Sequence, residues 1–386
     1  MEEYVYFSII FFSLIIFFLY IYILYEKTTE IYKSKRIEKH SKKLVPYINY
    51  NINQIMRGED LSLSTLNNVK KICKNEDKRE IVEESVLYYL ENFKGDFSPK
   101  LVELCEYIGI VKYEINNLKD KNNFKKALAA KRLGEYRSKK AIEPLLNEIN
   151  IRNSDVKYNI LLALSKIGEE NSFIEAFNGI DSAVILSERS LIEIVDSFEG
   201  DKNKIYRAMI NSDNYFIASV FVKSAGNHKD ITLSYDISKY LSSENKEMRI
   251  AAVKAVGSIG DRRYLDDIIK LLEDEEWEVR AVTARALNNF SEDKILRPLA
   301  KSLSDPQWHV RYNAATSILN HKEGMSVISY VFRGEDKFAK DIIISAIESS
   351  SNNSLHLYEN SNDFNKRMLA LRINEYTRLK REEIGV

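Results

Sequence analysis

The sequence predicts an all-α protein, an α-solenoid in which helical hairpins stack into a superhelix, preceded by one transmembrane helix. Three observations predict it. Arg249, Arg280 and Arg311 are each 31 residues apart, and their surroundings repeat with them: Met248–Val256 becomes Val279–Leu287 and then Val310–Ile318. Self-similarity at a period of a few tens of residues marks units that bury their apolar faces only against neighbours. The second observation is an uncharged run over Tyr4–Tyr25. The third is negative. Alternating β-branched runs are missing, and only 13 Gly and 5 Pro punctuate 386 residues, so nothing reads as strand.

The first element is the apolar run. Its 22 positions, rich in Ile, Leu and Phe, span about 30 Å as a helix, the thickness of a bilayer core. Tyr4, Tyr6, Tyr20, Tyr22 and Tyr25 stand at its two ends, where amphipathic rings prefer the interface. Glu2 and Glu3 precede it, and no small-residue cleavage site follows. The reading is therefore an uncleaved anchor over 1–25 rather than a signal peptide. Lys27, Lys33, Lys35, Arg36, Lys39, Lys42 and Lys43 follow, and no Lys or Arg comes before. The basic side stays in the cytoplasm, which predicts a single-pass cell-membrane protein with its N-terminus outside and its solenoid cytoplasmic. Residues 26–60 read as a basic juxtamembrane linker that also suits anionic headgroups. Residues 61–386 read as the solenoid.

The clearest repeats lie over about 120–320. Lys126 and Lys157 fall on the same beat, the steps between 157 and 249 are degenerate, and Lys340 and Arg367 are the expected equivalents after Arg311. Each unit reads as two helices. In the second, Val279, Val282, Thr283, Ala286, Leu287 and Phe290 form one apolar stripe at helical spacing. Small residues such as Ala251, Ala255, Ala314 and Ala315 let neighbouring helices approach closely. First helices are expected at Ala141–Ile149, Tyr264–Leu272 and Ile295–Leu303. Pro144 and Pro298 each precede the basic beat by 13 residues, and a proline fits only a first turn or a kink.

Two segments then carry a resemblance. Asp274–Arg280 and Asp305–Arg311, each followed by an Ala-rich helix, resemble HEAT repeats, closest to the short bacterial HEAT-like kind also found in phycobilisome lyases. The resemblance implies an armadillo/HEAT-type superhelix. It also implies a structural ladder in which an Asp and an Arg six residues apart bond stacked repeats, here Asp274 with Arg280 and Asp305 with Arg311. Arg249 has Ser243 at the Asp position and Lys157 has Ile151, so the ladder is expected to break towards the N-terminus.

Chemistry is hard to find. The five histidines form no metal spacing, and the chain has no glycine-rich phosphate loop and no nucleophile elbow. No catalytic residue, cofactor, metal or small-molecule substrate is expected. Cys73 and Cys105 are the only cysteines and suit a reducing compartment. With 57 basic and 57 acidic residues the formal charge is zero, which argues against a nucleic-acid binder.

Binding is the expected role. The positions off the apolar stripe form two candidate rows along a groove: Ile250, Ala281 and Tyr312, and then Lys254, Arg285 and Thr316. Trp277 and Trp308 read either as packing between repeats or as an exposed aromatic row. The expected function is a membrane-anchored, non-enzymatic scaffold or adaptor for protein partners that are themselves membrane-bound. The family analogy suggests accessory partners of membrane glycosyltransferases in envelope glycan synthesis. The alternative is a HEAT-like lyase, or a DNA-repair-type enzyme and nucleic-acid binder.

Overall fold

Asparagine and serine start most of the second helices, because their side chains accept from backbone N–H groups that a helix start leaves unpaired. Asn153, Ser187, Asn214 and Asn245 all do so. The computed structural model describes residues 2–93, 95, 97–180, 186–349 and 355–384. Among these every regular element is helical. The chain divides into two compact units, 1–185 and 186–386.

In the first unit, α1 (Glu2–Met56) is one helix of 55 residues, roughly 80 Å long. Residues 26–56, expected as a linker, are its continuation. Pro46 lies inside it, where it leaves one helical hydrogen bond unmade. The far end is packed: Ile48, Ile52 and Ile55 are buried against α2 (Glu76–Asn92) and its neighbours. Lys33 pairs with Glu80 at 2.8 Å and Arg36 with Asp77 at 3.1 Å. The apolar run at the near end is exposed, at Tyr4 and from Tyr6 to Tyr25. It is long and apolar enough to cross a membrane. Further on, α3 (Asn123–Tyr136) packs on α4 (Ser154–Ile167).

The second unit stacks six second helices in order: α5 (Glu188–Asp196), α6 (Tyr215–His228), α7 (Lys246–Ile259), α8 (Trp277–Ala286), α9 (Trp308–Asn320) and α10 (Lys337–Ser349). Short first helices at Ser234–Ser238, Leu265–Lys270 and Leu296–Ser302 lie between them, extended by 3-10 turns. Pro298 sits in the first turn of Leu296–Ser302, as its missing donor requires.

Close approach of the second helices depends on one repeated contact. A Cβ placed on Gly134 would lie 2.6 Å from the Ala163 Cα, and one on Gly226 2.6 Å from the Ala255 Cα. On Gly257 it would lie 2.7 Å from the Ala286 Cβ. The alanine comes 29 residues after the glycine each time. The backbones thus touch where any larger residue would hold them apart. Polar side chains bind the same stack. Asn289 donates to the Gly257 carbonyl at 3.0 Å, Asn313 to that of Ala281 at 2.8 Å, and Ser317 to that of Ala284 at 2.7 Å.

Candidate functional site

The arginine beat is a ladder, but its register differs from the expected one. Arg249 Nη2 donates to Asp274 Oδ1 at 2.9 Å, and Nε lies 2.8 Å from Oδ2. Arg280 repeats the contact with Asp305, at 2.7 Å and 3.2 Å. Each arginine therefore reaches the aspartate 25 residues ahead, in the next repeat. The aspartate six residues behind supplies its backbone carbonyl instead. Arg280 Nη1 donates to the Asp274 oxygen at 2.9 Å, and Arg311 Nη1 to that of Asp305 at 2.7 Å. Arg249 does the same to the Ser243 carbonyl at 2.9 Å. A main-chain acceptor needs no particular side chain, so Ser243 does not break the ladder, and Arg249 makes a full rung.

The ladder fades at the other end. Among the described residues Arg311 has no carboxylate hydrogen bond, and its Nε has no partner. Its guanidinium lies 5.8 Å from the Phe338 ring centre. Asp336, 25 residues on, accepts from Ser304, which is the chief cause holding its carboxyl below the usual range. Arg367 Nη1 donates to the Ser361 carbonyl at 2.7 Å, the same six-residue contact, so it is a true equivalent of the beat. Asp274 and Asp305 also accept from the N–H groups of Glu276 and Gln307, and so shape the turns into α8 and α9.

The two candidate rows fare differently. Ile250 and Ala281 are only 7% and 6% exposed. They are packed between helices and present nothing to a partner, because the Gly–Ala contacts bring the backbones too close. This corrects the first row. Only Tyr312 remains half-exposed. In the second row Lys254 and Arg285 are exposed. Thr316 is half-buried, and its hydroxyl donates to the Tyr312 carbonyl at 2.9 Å.

The tryptophans differ in their surroundings. Trp277 is half-buried and stacks on His309 at 5.5 Å. Trp308 is 47% exposed and stacks on Tyr312 at 4.9 Å. Four aromatic rings thus run along the starts of α8 and α9. Phe338 continues the line at the start of α10, 71% exposed.

Sequence reasoning missed Lys223. It stands 31 residues before Lys254, as Arg285 stands 31 after, and the period alone could have found it. Lys223 pairs with Glu188. Lys254 and Arg285 have no ion pair among the described residues. Burial of its stem, and next Lys223, hold the Lys254 ammonium below its usual range, with a smaller contribution from Arg285.

A second polar cluster, in the first unit, was also missed. Arg132 Nη1 donates to Glu83 Oε2 at 3.0 Å and to Glu114 Oε1 at 2.7 Å, and both carboxylates are buried. Arg79 lies 3.7 Å from Glu83 and stacks over Tyr113. Burial pushes the Glu83 carboxyl up to about 7, against the pull of Arg132. Cys73 and Cys105 are free and buried nearby. Burial pushes the Cys73 thiol up to about 12 and raises Cys105 as well, so neither is a ready nucleophile. Among the described residues no group of three or more His, Cys, Asp or Glu side chains is placed to hold a metal.

Comparison with known proteins locates the family signal on the ladder. HEAT repeats match residues 265–323, and a PBS lyase HEAT-like repeat matches residues 248–274. No curated protein matches the chain. Similar solved structures include an engineered protein, 17% identical, covering 80% of this chain and 98% of that one, with a TM-score of 0.35. The CpcE–CpcF complex of phycocyanin lyase from Nostoc sp. is 16% identical, covering 69% and 94%, with a TM-score of 0.29. A chain of the Kap95p–RanGDP structure is 11% identical, covering 87% and 57%, with a TM-score of 0.41. The ladder of Arg249, Arg280 and Arg311 and the helices around it are thus built from HEAT repeats, with a PBS lyase HEAT-like repeat at the start of the matched stretch.

Proposed function

We propose that the protein is a non-enzymatic interaction scaffold, anchored in the cell membrane by α1, that binds partner proteins on the exposed face of its stacked second helices. The observation that carries this reading is the face itself. Lys254 and Arg285 project there without a carboxylate partner among the described residues, next to the exposed Trp308–Tyr312 stack. Arginine, tryptophan and tyrosine are the side chains in which binding hot spots are enriched. The anchor is supported by an apolar run exposed from Tyr6 to Tyr25, which a hydrocarbon phase would cover. The lysines that follow support a cytoplasmic side for the HEAT repeats. Tethering would raise their effective concentration near membrane-bound partners.

Crosslinking in the native membrane followed by recovery of the full chain tests this. The triple variant Lys254→Glu, Arg285→Glu, Tyr312→Ala should lose the partners that the unaltered chain captures. Unchanged recovery would remove this face from the reading. Membrane glycosyltransferases of envelope glycan synthesis are the first partner class to look for. An exported reporter that is active when fused at the C-terminus would overturn the cytoplasmic placement.

A further inference from the structure

Lys223, Lys254 and Arg285 occupy one register position on three consecutive, directly packed helices, α6, α7 and α8. Like charges in a line repel one another: burial first, and next Lys223, hold the Lys254 ammonium below its usual range, against the pull of Glu188 and Glu247. Glu188 compensates Lys223. No carboxylate is ion-paired with Lys254 or Arg285 among the described residues. An arrangement of this kind is relieved by an external anion.

The geometry constrains that anion. Packed helices are about 8–10 Å apart, and an extended chain advances about 3.3 Å per residue. A strand crossing the helices therefore meets a new cation at about every third residue. At the fourth helix the same register position is Thr316, one turn beyond Tyr312 and its stacked Trp308. The face thus changes there from cationic to aromatic.

Resting on the scaffold reading above, we propose that this face takes an acidic, extended segment of a partner protein. The first of its carboxylates would compete with Glu188 for Lys223, the next two, at three-residue steps, would lie on Lys254 and Arg285, and an apolar side chain three residues further would lie on the Trp308–Tyr312 stack. A nucleic acid fits less well. Three cations on successive helices offer too few counter-charges for a backbone with a phosphate at every nucleotide, and the chain's formal net charge is zero.

The test uses the full chain in detergent micelles and a labelled ten-residue peptide. The peptide carries Glu at positions one, four and seven, Leu at position ten and Ser elsewhere. A second peptide has the same composition with its three Glu contiguous. The first should bind more tightly, and added salt should weaken it. Trp277 and Trp308 are the only tryptophans in the chain, so their emission should shift to the blue on binding and report from this face alone. Lys254→Glu with Arg285→Glu should weaken binding by roughly 30-fold or more, whereas Lys254→Arg should retain it with unchanged circular dichroism.

Equal binding of both peptides, indifference to charge reversal, or tighter binding of an oligothymidylate would each overturn the proposal. If native partners are captured through this face but the spaced peptide does not bind, the acidic class is refuted and the scaffold reading stands. If the peptide binds as expected but charge reversal leaves native capture unchanged, the acidic preference stands and the scaffold reading of this face fails.

Discussion

Removing one ladder arginine at a time should cost the fold in a graded way, and the grading follows from the contacts. Arg249 and Asp274 have side chains only 8% and 7% exposed. The guanidinium also holds two carbonyls, those of Ser243 and Glu244. Arg249→Ala strands a buried carboxylate, a loss of about 3–5 kcal/mol. Arg280 makes the same set of contacts at 15% exposure, where water compensates more, so Arg280→Ala should cost about 2–4 kcal/mol. Arg311 holds two carbonyls and, among the described residues, no carboxylate, so Arg311→Ala should cost about 1–2 kcal/mol. Stacked repeats do not unfold in one step. The assay is therefore hydrogen exchange of the amides in α7, α8 and α9, which reads local opening. Equal losses for the three variants, or the largest loss at Arg311, would refute the reasoning. A double-mutant cycle sharpens it. Asp274→Ala should couple to Arg249→Ala by about 1–3 kcal/mol and less to Arg280→Ala. The reverse order would restore the six-residue pairing.

Two further outcomes follow from buried contacts. Gly226→Ala gains about 1 kcal/mol of helix propensity but drives a methyl group into the Ala255 backbone, an overpacking cost of about 1–3 kcal/mol. The net effect should be a thermal midpoint lower by a few degrees, and a midpoint that rises would sink the close-packing argument. The Glu83 carboxyl titrates at about 7 in the fold and at about 4.3 in an unfolded chain. The folded state therefore holds an extra proton between those values, and stability falls as pH rises through that window. Glu83→Gln should flatten that slope and stabilise the protein at pH 8 by roughly 1–3 kcal/mol, the lost contact with Arg132 being the offset. Chemical denaturation of the two proteins at acid and alkaline pH measures the difference.

The period of 31 residues made the fold legible, because a repeat that stacks on itself must restate its packing residues at each turn. The stripe through Val279, Ala286 and Phe290, which are buried, and the proline of Leu296–Ser302 were readable for that reason. Partner choice within the ladder was not. A spacing of six along the chain and one of 25 across the stack both place an Asp beside an Arg, and only the path of the turn decides between them. The face towards a partner was half legible. Lys254 and Arg285 are long enough to leave the packed layer, while Ile250 and Ala281 are held in it by glycines one helix away. The cluster of Glu83, Glu114 and Arg132 was missed for a different reason: Glu83 and Glu114 are 31 residues apart, on the period itself, but they lie before the clear repeats, and Arg132 reaches both only through tertiary packing.

The length of α1 has a mechanical side. A helix turns by about 100° and rises about 1.5 Å for each residue. Because α1 runs from the apolar run into the packed Ile48, Ile52 and Ile55, it behaves as a keyed shaft. Whatever grips residues 4–25 also sets the azimuth of the first unit, to within the play of one proline. One residue inserted near Thr29 would leave every contact of that unit intact, yet swing its whole surface by more than a quarter of a revolution.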